Sequence, residues 1–151
     1  MKPRLLFFCL LMAALCSVVP DASAGVRWRV SVKVFTDANG NRPANAFDAR
    51  IQGLIDDYND RLKIFGRGLQ LELTEIVELG PDLDVWFNRE ARNSANRQAL
   101  QDSATLRPDL FAYRANSINV FINNTASGVC CGGGNGLVFM GDPGATSSTM
   151  F

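Results

Sequence analysis

The spacing of apolar residues along residues 26–74, which changes from every second residue to every third or fourth and back, constrains the fold most strongly. Val26–Phe35 alternates apolar and polar residues, which is the period of a β-strand with one buried face. Asn45–Phe65 instead repeats apolar residues at steps of three and four, which predicts an amphipathic helix. Leu69–Thr74 returns to the period of two. A strand, a helix and a strand in this order predict a βαβ unit with two parallel strands in one sheet.

The segments that follow extend this unit. Ile118–Asn123 alternates again, Leu137–Met140 is a short apolar strand, and Ala91–Asp102 is a polar helix candidate. The alternating strands keep a polar face, whereas a parallel sheet covered on both faces reads as apolar throughout. We therefore predict an α/β fold: a twisted, mostly parallel sheet of four to five strands with helices on one face. The helical stripe expected to cover it is Phe47, Ile51, Leu54, Tyr58, Leu62 and Phe65.

The first 24 residues have the order of a secretory signal peptide. Lys2 and Arg4 precede the apolar run Leu5–Val19, which is too short to span a bilayer comfortably as a helix. Ala22-Ser-Ala24 then supplies the small residues that signal peptidase requires. We predict cleavage after Ala24, a single mature domain over residues 25–151, and a secreted or periplasmic protein. An uncleaved membrane anchor is the alternative for this segment.

Composition excludes several classes of function. The chain has 15 acidic and 15 basic residues and no Lys/Arg run, so we expect no nucleic-acid partner and no membrane association after signal cleavage. It contains no histidine. A Ser-His-Asp triad, a Cys-His pair and a histidine-ligated metal site are therefore excluded within this sequence.

Two adjacent cysteines, Cys130 and Cys131, lie in the glycine-rich stretch Gly128–Gly136. An exported protein meets an oxidising compartment, where thiols tend to pair. Adjacent cysteines form only a strained ring with each other, and two thiolates do not complete a zinc site. We expect one or both to form disulfides with cysteines beyond residue 151, with a redox or metal role as the alternative.

Three stretches together resemble the region that precedes the active-site helix in secreted zinc metalloproteases of the metzincin type. They are Ser117–Cys130, Gly136–Gly141 and Ser147–Phe151, in the order strand and loop, strand, and capped helix start. In that family an H-E-x-x-H segment follows, with two histidines that hold zinc and a glutamate as general base. The resemblance implies that residues 25–151 are an incomplete upper subdomain of a zincin catalytic domain.

The resemblance also implies a substrate site. In such proteases a short antiparallel edge strand binds the backbone of a protein or peptide substrate. Gly128, Val129, Cys130 and Cys131 correspond to that edge, and Leu137–Met140 to the strand after it. Zinc is implied as the cofactor of the complete parent protein. Because no H-E-x-x-H occurs among the 151 residues, we expect no catalytic residue, no bound zinc and no proteolysis from this chain alone.

A second function fits the same sequence. The chain would then be a self-contained exported binding or redox module that uses the Cys130-Cys131 loop. The DNA that follows the codon for Phe151 distinguishes the two, because only a protease reading requires H-E-x-x-H there.

Overall fold

The computed structural model describes residues 25–64, 66, 68–125, 132–133 and 137–140. The predicted signal peptide, the adjacent cysteines and the helix start predicted near the C-terminus lie outside these residues. In chain order the elements are β1 (Val26–Phe35), α1 (Asp48–Ile64), β2 (Leu69–Leu79), a 3-10 helix (Pro81–Trp86), α2 (Ser94–Leu106), β3 (Ile118–Ile122), β4 (Gly132–Gly133) and β5 (Leu137–Met140). No helix in the described part of the chain is long and apolar enough to cross a membrane.

The strands form one five-stranded sheet in the order β2-β1-β3-β5-β4. β1 runs parallel to both β2 and β3, and β3 runs parallel to β5. The two-residue strand β4 is antiparallel to β5 and lies at the edge. The prediction of an α/β fold with a mostly parallel sheet of four to five strands is confirmed.

α1 covers one face of the sheet. Ile51 and Ile55 are buried and Tyr58 and Leu62 partly buried, and they pack against Val30, Val32, Val34, Leu71, Val120, Ile122, Val138 and Met140. The predicted stripe is therefore rotated: Phe47 is exposed, and Ile55 rather than Leu54 joins this cluster. Ile55 follows Ile51 by four residues, so both side chains project from the same side of the helix.

Helices also cover the second face, and here the structure differs from the prediction of helices on one face only. Leu83 and Trp86 of the 3-10 helix and Leu100 and Ala104 of α2 pack with the strand residues Phe35, Phe121 and Phe139. The ring centroids of Phe35 and Phe121 lie 5.8 Å apart. The alternation in β1 predicts that this second face is exposed to solvent, because its residues are polar up to Lys33. At the carboxyl end of the strands, however, the same face carries Phe35 and Phe121, and the helices pack on these aromatic residues.

A bulge in β2 changes which side chains face α2. The pairing shifts from Val30 opposite Leu73 to Ser31 opposite Glu75, so Thr74 is the extra residue. The Thr74 hydroxyl donates to the carbonyl of Val30 at 2.9 Å. An extra residue reverses the alternation of the strand, and Glu75 consequently points to the same side as Ser31.

Candidate functional site

The carboxyl ends of parallel strands are where α/β sheets usually bind ligands, and in the described residues these ends are occupied by structural hydrogen bonds. Thr36, directly after β1, is 2% exposed, and its hydroxyl donates to the carbonyl of Leu79 at 2.9 Å. Asn123, directly after β3, is fully buried and donates to the carbonyls of Trp86 and Arg89 at 3.0 and 2.6 Å. These hydrogen bonds hold the neighbouring loops against the sheet, so the two side chains are not available to a ligand.

A row of polar side chains, buried except for the partly exposed Glu75, crosses the middle of the sheet. Glu75, Ser31 and Asn119 are register partners on β2, β1 and β3. Lys33 is fully buried beside them, and its Nζ donates to Asn119 Oδ1 at 2.6 Å, to the Ser31 carbonyl at 3.1 Å and to Ser31 Oγ. Ser31 Oγ donates to Glu75, which also accepts from Arg114 Nε and Nη2 at 2.9 and 3.0 Å. We call these five residues the Lys33 network.

Asn119 connects this network to the turn before β3. Its Oδ1 accepts from the backbone N–H of Arg114 at 2.8 Å, in addition to Lys33. Its Nδ2 donates to the carbonyls of Arg114 and Ser117 at 2.8 and 3.0 Å. One side chain therefore satisfies the lysine and fixes the path of residues 114–117.

The electrostatics of the network follow from burial and pairing. Burial lowers the pKa of Lys33 from 10.5 to about 8; the carboxylate of Glu75 opposes this change and the guanidinium of Arg114 adds to it. Hydrogen bonding from Arg114 lowers the pKa of Glu75. All three ammonium hydrogens of Lys33 have acceptors within the protein. The geometry thus fits a structural role rather than one in ligand binding.

The edge of the sheet at β4 is the place where the predicted substrate site can be compared with the structure. Gly128, Val129, Cys130 and Cys131 lie outside the described residues. The antiparallel pairing begins directly after them, with Gly132 opposite Val138 and Gly133 opposite Leu137. The strand predicted to follow this edge, Leu137–Met140, is present as β5.

The described residues offer no site for a zinc ion. Within the described ranges, no group of three or more His, Cys, Asp or Glu side chains is placed to hold a metal. The whole sequence contains no histidine, and an acceptable zinc site needs at least three protein ligands.

The Lys33 network was not identified as a site from the sequence. The sequence does show Ser31, Lys33 and Asn119 as polar residues within predicted strands. The alternation of polar and apolar residues does not reveal that the 3-10 helix and α2 cover the face of the sheet on which these residues lie. The bulge that brings Glu75 to them depends on pairing between β1 and β2.

Comparisons with protein-family models, with curated proteins and with solved structures found no match. The function of the chain is therefore inferred from its own residues and topology.

Proposed function

We propose that this chain is the N-terminal part of the catalytic domain of a secreted zinc-dependent endopeptidase, in which its sheet holds the substrate. The observation that carries this proposal is β4, an antiparallel edge strand beside an otherwise parallel sheet. A substrate added as a further strand along β4 would gain main-chain hydrogen bonds. Gly132 and Gly133 have no Cβ, so a second backbone can approach this edge closely.

Two of the three segments that resemble metzincin proteases contain strands that are neighbours in the sheet, which supports the proposal; Ser147–Phe151 lies outside the described residues. β3 lies within the stretch Ser117–Cys130 and β5 within Gly136–Gly141. Asn119 of β3 pairs with Leu137 of β5, and β5 in turn pairs with β4. The strands within these stretches, β3 and β5, thus lie on the side of the sheet that ends in the antiparallel edge strand β4.

The role of this chain in the proposed protease is to bind and orient an extended substrate, and its described residues include no zinc site. In the parent protein the metal would supply an activated water and polarise the scissile carbonyl, and its ligands would come from residues that the present sequence does not contain. The alternative redox or binding module rests on Cys130 and Cys131, which lie outside the described residues, so no structural observation favours it.

The test compares residues 25–151 with the protein obtained by continuing the natural reading frame beyond Phe151. We expect the continued protein to contain H-E-x-x-H, to bind one zinc ion and to cleave casein until a chelator is added. Residues 25–151 alone should neither bind zinc tightly nor cleave. The matched control replaces the glutamate of H-E-x-x-H with glutamine, which should retain zinc and lose activity. A continued frame without the motif, or cleavage that a chelator leaves unchanged, would contradict the proposal.

Export is a separate expectation of this proposal. Mass spectrometry of the protein from the extracellular or periplasmic fraction should give a chain that begins at Gly25, because Ala22 and Ala24 satisfy the signal peptidase. Ala24→Glu should block processing and leave the precursor in the membrane fraction. A mature wild-type protein that keeps Met1 would show that residues 1–24 are an anchor instead.

A further inference from the structure

We propose that the amino-terminal end of β1 binds an extended peptide in which two acidic residues flank an apolar one. This site is distinct from the β4 edge, and it does not depend on the proposed protease function. Three features of the described residues meet there: an unpaired strand edge, two unpaired arginines and an apolar pocket.

The strand edge arises because β1 extends further than β3. β2 pairs with β1 from Val26 onward, whereas the pairing with β3 begins only at Val30, opposite Ile118. Residues 26–29 therefore have a strand partner on one side and, among the described residues, none on the other. Four extended residues span about 13 Å. Their unpaired backbone groups can accept a peptide as an additional strand.

A groove of about 570 Å³ lies against this edge. Its second wall is formed by Tyr113 and residues 115–118, where a turn closed by the Ser117 N–H and the Arg114 carbonyl precedes β3. The first wall includes three consecutive residues, Arg27, Trp28 and Arg29. Because consecutive strand residues point to opposite faces, the groove runs along the backbone edge and gives access to both faces.

One face of the groove is positively charged. Arg27 and Arg29 are exposed, and their positions on one strand face are about 6.6 Å apart. Neither forms an ion pair with a described acidic side chain. Glu72 is the register partner of Arg29 but is not within ion-pair distance of its guanidinium group. Glu75 already forms an ion pair with Arg114. Two acidic residues at alternate positions of an added strand would face these guanidinium groups.

The other face of the same edge is apolar. Trp28 is 50% exposed, and with Tyr58, Leu62 and Ile118 it lines a pocket of about 100 Å³ beside α1. In an added strand, the residue between the two acidic ones would point to this face. The geometry therefore selects the pattern acidic, apolar, acidic. A small anion would satisfy the arginines alone and would use neither the backbone edge nor the pocket.

The probe is a fluorescein-labelled peptide Gly-Glu-Leu-Glu-Gly, and its binding to the secreted protein is measured by fluorescence polarisation. Three matched peptides each remove one feature: Gln replaces both Glu residues, Ser replaces Leu, or the central backbone N–H is methylated. We expect the parent peptide to bind and each of the three to bind more weakly. Equal binding of all four peptides would overturn the proposal. Loss with Gln alone would identify a simple anion site and would overturn it as well.

Protein variants test the same site from the other side. Arg27→Gln together with Arg29→Gln should weaken binding of the parent peptide roughly tenfold, since each exposed ion pair contributes up to about 1 kcal/mol. Arg61→Gln, which removes an exposed charge from α1, is the matched control and should leave binding unchanged. Thermal melting followed by circular dichroism verifies that each variant is folded. An equal loss in both proteins would overturn the assignment to this groove.

Discussion

Replacing Asn119 with leucine is expected to lower the free energy of unfolding by about 3–5 kcal/mol. The substitution removes an acceptor from the buried ammonium of Lys33 and from the backbone N–H of Arg114. It also removes the donor to the carbonyls of Arg114 and Ser117. Leucine has the same number of side-chain heavy atoms and the same branching as asparagine, so lost hydrogen bonds and an incompletely paired charge are the main part of the change. Urea denaturation at pH 7 measures it.

Two further variants make this result specific to the Lys33 network. Asn116→Leu alters an exposed asparagine in the same turn and should change the free energy of unfolding by less than about 0.5 kcal/mol. Lys33→Met combined with Asn119→Leu should be more stable than Asn119→Leu alone, because no buried charge is then left short of an acceptor. If Asn119→Leu lowers the free energy of unfolding no more than Asn116→Leu does, the hydrogen bonds of Asn119 do not stabilise the fold.

The βαβ unit could be predicted because apolar residues recur with a fixed period in each of its elements, and that period is a local property of the sequence. The segment with a period of two, Val26–Phe35, is a strand in the structure, and the segment with a period near 3.6 forms the helix α1. The exact helix face was less certain: Leu54 and Ile55 are adjacent and equally apolar, and packing on the sheet selects Ile55. Such choices depend on the orientation of the helix, which periodicity alone does not determine.

The covered second face could not be predicted in the same way. Ser31 and Lys33 resemble solvent-facing residues in the sequence, and only the contacts of distant segments bury them. Glu75 reaches them because Thr74 is bulged against Val30, and Asn119 reaches them through the β1–β3 register. Pairings between strands more than 40 residues apart leave no trace in a local pattern.

The two edges of interest differ in how they could be recognised. The resemblance implies an antiparallel edge strand at Gly128–Cys131, which stays a prediction because those residues lie outside the described ones; the antiparallel strand that the structure describes is β4, directly after them. The β1 edge requires the structure, since its opening results from the different starting points of β2 and β3 along β1. Arg27 and Arg29 gain significance only once the backbone between them is known to be unpaired on one side.

The pH dependence of stability should show the buried position of Lys33 directly. In the unfolded chain this lysine keeps its proton up to about pH 10.5, whereas in the folded protein burial lowers its pKa to about 8. Between these two values the unfolded chain binds more protons than the folded one, so the free energy of unfolding rises as the pH increases. Over the whole interval the contribution of Lys33 is on the order of 3 kcal/mol.

Lys33→Met isolates this contribution from other groups that titrate at high pH. Methionine removes the charge, while Ser31 Oγ keeps its bond to Glu75 and Asn119 Oδ1 keeps its bond to the Arg114 N–H, so no polar side chain of the network is left without a partner. We expect the variant to be at least as stable as the wild type at pH 7, since burying an ammonium group is costly. From pH 7 to pH 10.5 the wild type should then gain stability relative to Lys33→Met, which urea denaturation at half-unit pH steps can follow. A constant difference between the two proteins across this range would show that Lys33 has the same pKa in the folded and unfolded states and is not desolvated.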